Sequence, residues 1–220
     1  MLIDSLTVDK MVVAFNKYFS ASKFKENQEY VIYLLDAFIN CSMYDFGITH
    51  MLKSDLLFTF NNILLNENNI FGSMLSEGIF LQIKELILDV IKNITLIKDG
   101  KLEAIKENLI YTISVFLSSE IEKERLFSTS FYMSVANTLE AKLQICNYTI
   151  ENKYIILEVI MNILIQKLCK LLVDANNDIK ENSKLALQII AELPDGFLKI
   201  TDILHEKLDI LNEVYIKFKN

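Results

Sequence analysis

The stretch LCKLLVDANNDIKENSKLALQII, residues 168–190, reads as a helix, a polar turn and a second helix. Leu168, Leu171 and Leu172 share one helical face, because residues three and four apart lie on the same side of a helix. From Asp174 to Asp178 the stripe stops, in residues whose side chains compete for backbone hydrogen bonds and favour turns and caps. Ile179, Ala186, Leu187 and Ile190 then restart an apolar face at helical spacing. A connection this short predicts an antiparallel helical hairpin.

The same grammar extends outward. The 220-residue chain holds one proline (Pro194) and five glycines, too few to punctuate the many turns of a sandwich or barrel, so the reading is all-α. Apolar residues make up 52% of the chain, yet they recur in groups broken by polar ones, and none approaches the roughly 20 needed to span a bilayer. The spacing predicts helices near 5–20, 26–46, 53–66, 76–97, 100–119, 121–146, 152–173, 178–193 and 197–218, with Asp99-Gly100 and Pro194-Asp195-Gly196 as breaks between helices. With no linker rich in Pro, Gly or Ser, residues 1–220 are read as a single helical domain. Residues 1–70 are expected to form an N-terminal helical cap, and 76–220 three repeat-like helix pairs starting near 76, 121 and 178.

Set against known patterns, residues 168–190 resemble a HEAT or armadillo-type repeat. Leu171-Leu172 matches the paired leucines that end the first helix, Asp174 the turn aspartate, Ile179-Lys180 the apolar-basic pair of the second helix, and Ala186-Leu187 its small-large packing pair. Ala175 stands where the family often has proline, and Lys180 where it often has arginine. The resemblance implies antiparallel hairpins stacked as a short HEAT/armadillo-like solenoid, with Asp174 and Lys180 as a repeat-turn ladder between neighbouring repeats. Arg125 sits one repeat earlier than Lys180. The alternative architecture is an irregular helical bundle in which one hairpin happens to read like a repeat.

Chemistry is sparse. Of the two histidines, His50 lacks a neighbouring acid or nucleophile in sequence, and in His205-Glu206-Lys207-Leu208-Asp209 an aspartate replaces the second histidine that would hold zinc. Cys41, Cys146 and Cys169 have neither CxxC nor Cys/His spacing and read as reduced core thiols. No glycine-rich phosphate loop is present. The reading is therefore a non-enzymatic chain with no cofactor and no metal. Phe15, Tyr18 and Phe19 on the first helix, and Tyr30, Tyr33, Leu34 and Phe38 on the second, form aromatic stripes expected to be core. A formal net charge of −7 opposes phosphate binding.

What the resemblance implies for function is a protein-protein interaction scaffold, adaptor or subunit of a larger assembly, with a protein partner. The alternatives are an RNA- or ribosome-associated helical factor and, behind it, a helical-bundle enzyme. The last helix carries Ile200, Ile203, Leu204, Leu208, Leu211 and Tyr215 on one side, a face expected either to cap the array or to dock on a partner. With no basic leader followed by an apolar core, the expected compartment is the cytoplasm or nucleus, with no membrane association.

Overall fold

A computed structural model describes residues 5–19, 24–65, 77–145 and 155–219, without the side chains of residues 5, 6, 25, 77, 155–162 and 207–219. Among the described residues every regular element is helical. Twelve α-helices follow one another: α1 (Ser5–Tyr18), α2 (Gln28–Cys41), α3 (Asp45–Lys53), α4 (Leu56–Leu65), α5 (Glu77–Ile94), α6 (Lys98–Lys106), α7 (Leu109–Ser114), α8 (Glu122–Val135), α9 (Leu139–Ile145), α10 (Ile155–Leu171), α11 (Asn177–Ile190) and α12 (Pro194–Lys219). Short 3-10 turns lie at Phe24–Glu26 and Phe116–Ser118. The chain groups into two compact units, residues 1–112 and 113–220.

In the first unit α2 packs on both α1 and α5, and α3 on both α1 and α4. α2 and α4 both pack against α5, on the other side in sequence of the expected boundary near residue 70, which itself lies outside the described residues. Three wholly buried rings, Phe15, Phe38 and Phe60, meet edge to face with centroids 5.7–6.4 Å apart, the geometry the ring quadrupole favours. In the second unit α8 lies along α11, and α10 packs on α11 and α12. Phe131, Tyr132 and Val135 of α8 and Ile179, Ala186 and Ile190 of α11 are fully buried. Ser128 and Thr129 are buried too, without penalty, since each hydroxyl donates to a carbonyl of its own helix, that of Arg125 or Leu126 at 3.0 Å.

Three expected long helices are each broken. The segment 26–46 divides at residues 42–44, 100–119 at 107–108 and 121–146 at 136–138. Four of the helix junctions, α2/α3, α5/α6, α8/α9 and α11/α12, share one hydrogen-bond pattern. The first residue past the helix donates its N–H four residues back (Ser42 to Phe38, Thr95 to Ile91, Ala136 to Tyr132, Ala191 to Leu187). Two residues on, a second N–H returns to the last helical carbonyl (Tyr44 to Cys41, Ile97 to Ile94, Thr138 to Val135, Leu193 to Ile190). The backbone at the first position stays near helical values, φ −71° and ψ −4° at Ser42, φ −58° and ψ −18° at Ala136, so no glycine or proline is needed to make the turn. That is why the breaks carry no mark of the usual kind. The α6/α7 break has a different cause: Asn108 takes a left-handed φ of 59°, which asparagine tolerates.

Gly100 and Gly196 do not separate helices. They lie in the first turn of α6 and α12, six residues beyond Ile94 and Ile190, and Gly47 is placed alike in α3. A Cβ on any of the three would overlap the carbonyl oxygen of Cys41, Ile94 or Ile190, so glycine here lets one helix start hard against the end of its predecessor. The α8/α9 junction carries the fully buried Ala141 at the same position. Pro194 opens α12 at its first residue, where its missing N–H costs nothing.

Candidate partner-binding surface

Side-chain bonds tie successive helix pairs together within each unit. In the second unit Arg125 Nε donates to Asp174 Oδ2 at 2.8 Å, while Arg125 Nη1 reaches the carbonyls of Ser119 and Glu120 at 2.9 and 3.0 Å. The other oxygen of Asp174 accepts from the Asn176 N–H at 2.9 Å. Asn176 in turn caps α11 by accepting from the N–H groups of Asp178 and Ile179, and donates its amide to Glu122 Oε1 at 2.9 Å. Burial pushes the Asp174 carboxyl up, but the Arg125 hydrogen bond, the Asn176 amide and the Arg125 charge outweigh it and hold the group below its ordinary range. Lys180, expected as the basic partner, instead donates to Asn177 Oδ1 of its own helix at 3.0 Å. Asp174 is thus paired with Arg125, and Lys180 adds only a weaker field.

Further ties follow the same spacing. Lys142 pairs with Glu192, 50 residues on, and Lys167 Nζ donates to the Ser114 carbonyl at 2.8 Å, 53 residues back. Burial and the neighbouring Lys170 push the Lys167 ammonium below its ordinary range. In the first unit Asn93 Nδ2 donates to Ser42 Oγ at 2.9 Å, a separation of 51. The buried Asn61 accepts from the Thr112 hydroxyl at 2.5 Å and donates to the Glu107 carbonyl at 2.7 Å.

The docking face expected on the last helix is only half described. Ile200 and Ile203 of α12 are half-buried and Leu204 is exposed, whereas Leu208, Leu211 and Tyr215 lie outside the described side chains. Phe197 and Leu198, near the start of the same helix, are both exposed.

His50 has neighbours that its local sequence does not announce. It lies within α3, not in a loop, with Nδ1 3.8 Å from Asp9 Oδ1 and its ring against Phe46, centroids 4.6 Å apart. Ser54 Oγ is 3.1 Å from the same Asp9 oxygen and 2.9 Å from the His50 carbonyl. The serine hydroxyl thus lies within hydrogen-bond distance of the Asp9 carboxylate and of the His50 carbonyl. The cluster ties α1 to α3. Cys41 and Cys169 are buried free thiols, and burial pushes Cys41 up, away from the reactive thiolate; Cys146 lies outside the described residues. Among the described residues no group of three metal-ligating side chains assembles, and no helix is long and apolar enough to cross a membrane.

One surface runs against expectation. Phe15, Phe19 and Phe38 are core, but Tyr30 and Tyr33 of α2 are 61% and 66% exposed. The buried stripe of α2 is Val31, Leu35 and Phe38. Glu29, Tyr33, Asp36 and Asn40, spaced four, three and four residues apart, form an exposed stripe instead, and the α2/α3 turn continues it with exposed Met43, Tyr44, Asp45 and Phe46. Tyr18 stacks on Tyr30, centroids 5.8 Å apart, and Lys17 Nζ stands 5.4 Å from the centre of the Tyr18 ring.

No family model and no curated protein matches the chain. Among solved structures it is similar to an engineered protein from a structural genomics consortium, with TM-score 0.64 and 13% identity, over 89% of this chain and 67% of that one. A second engineered protein gives TM-score 0.48 and 10% identity over 84% of this chain, which spans 47% of its length. The first likeness shows a shared all-helical fold and says nothing of activity.

Proposed function

We propose that the chain is a non-enzymatic helical-repeat scaffold, its hairpins stacked as a short HEAT/armadillo-like solenoid, that holds a protein partner as an adaptor or as one subunit of a larger assembly. The observation that carries this reading is the recurrence of one turn, with identical backbone bonds, at four helix junctions. Side-chain ties at separations of 46–54 residues support it, because an array bonded mainly to its nearest neighbours repeats its contacts at the length of one unit. The Asp9, His50 and Ser54 cluster joins α1 to α3 and is read as packing. Such a chain works by surface, and exposed aromatic and apolar side chains at the helix junctions give it one.

The test is native affinity purification of the tagged chain at low and at moderate salt, with mass spectrometry of what accompanies it. A stoichiometric protein that survives moderate salt is the expected result. Ribosomes or RNA lost as salt rises would replace the scaffold reading with that of an RNA-associated factor, and recovery of the chain alone would overturn both.

A further inference from the structure

The exposed stripe of α2 and the turn that follows it combine two features that point to one chemistry. Tyr30, Tyr33 and Tyr44 are 61%, 66% and 63% exposed, a large aromatic area for a surface facing water. Glu29, Asp36 and Asp45 lie among them, also exposed, and no lysine or arginine of the described residues forms an ion pair with any of the three. An aromatic face is attractive to cations through its ring quadrupole, and neighbouring carboxylates deepen the same negative potential. The molecule holds its own example beside this stripe, where the Lys17 ammonium stands over Tyr18, the ring stacked on Tyr30.

We propose that this face binds a short extended segment of a partner protein rich in lysine and arginine. The proposal rests on the scaffold reading and names the chemistry of its partner. From Glu29 to Asn40 the stripe runs about 16 Å at 1.5 Å per helical residue, which matches about five residues of extended peptide at 3.3 Å each. The Tyr33 ring takes a guanidinium or ammonium group, and Asp36, one turn beyond, takes the next.

The experiment is fluorescence anisotropy of a labelled Gly-Lys-Arg-Gly-Lys-Arg peptide titrated with the intact chain near physiological salt, beside the same peptide with glutamine at each basic position. The basic peptide is expected to bind and the glutamine peptide not. Tyr33→Ala, which leaves the charge unchanged, is expected to weaken binding about three- to fivefold, and Asp36→Lys about tenfold. Asp202→Lys on α12, in the other unit, makes the same change of net charge as a control and is expected to weaken binding less than about twofold. Equal losses for Asp36→Lys and Asp202→Lys, an unchanged affinity for Tyr33→Ala, or no binding by the unaltered chain would each overturn the proposal. All three positions are exposed, so circular dichroism is expected to show unchanged helicity. If the Asp36→Lys chain retains its partner in the salt-stable purification, the peptide site fails while the scaffold stands; if no partner is recovered with the unaltered chain, the scaffold fails whatever the peptide does.

Discussion

The two units make the same turns and tie their helix pairs with different chemistry. In the first, the described ties at separations of 46–51 residues are neutral, Asn93 to Ser42 and Asn61 to Thr112 and Glu107, while the Asp9 carboxylate, 3.1 Å from Ser54, joins α1 to α3 separately. In the second they are charged: Arg125 with Asp174, Lys142 with Glu192, and Asn176 with Glu122. Backbone geometry is thus independent of the bond that fixes the register between neighbouring pairs. A neutral amide works at any pH, whereas an ion pair makes its unit sensitive to acid.

The largest expected effect breaks the charged side. Asp174→Ala leaves Arg125, whose side chain is 18% exposed, without its carboxylate and removes the acceptor for Asn176; a loss of about 3 kcal/mol is expected, read as a lower denaturant midpoint. Next, Asn61→Leu strands the Thr112 hydroxyl and the Glu107 carbonyl on the neutral side, and about 2 kcal/mol is expected by the same measurement.

Acid should separate the units more gently. The folded Asp174 carboxyl lies below its unfolded value of about 3.9, so its contribution is complete above that pH and disappears as pH falls through the folded value. Thermal melts between about pH 5 and pH 2 are expected to lose stability more steeply for the natural chain than for Asp174→Asn, which has no proton to take up there. Smallest is Lys180→Ala, which removes a bond within one helix; less than about 0.5 kcal/mol is expected, and a larger loss would show that Lys180 shares the carboxylate with Arg125.

Helical content was legible because apolar spacing records which face is covered, and the helix, turn and helix read at 168–190 appear as the end of α10, a turn and α11. Turns at 42–44 and 136–138 were not, since their first residues, Ser42 and Ala136, keep nearly helical dihedrals and no glycine or proline stands within them. Gly100 and Gly196 misled for the complementary reason: they answer a steric demand inside the next helix. The Arg125–Asp174 pair joins residues 49 apart, and only the register between helix pairs decides that Arg125 rather than Lys180 reaches the carboxylate. Tyr33 was misplaced by its period, for it lies two residues from both Val31 and Leu35, turned away from the buried stripe at about 100° per residue.

The separation of about fifty residues in the cross-pair ties also sets a schedule for synthesis. Once a helix pair has emerged, its ties need only the next fifty or so residues, and at about 5–20 residues per second those arrive within roughly 10 s. The partners for the Asn93 and Asn61 bonds of the first unit are therefore all encoded by residue 112, ahead of the Arg125–Asp174 and Lys142–Glu192 pairs of the second.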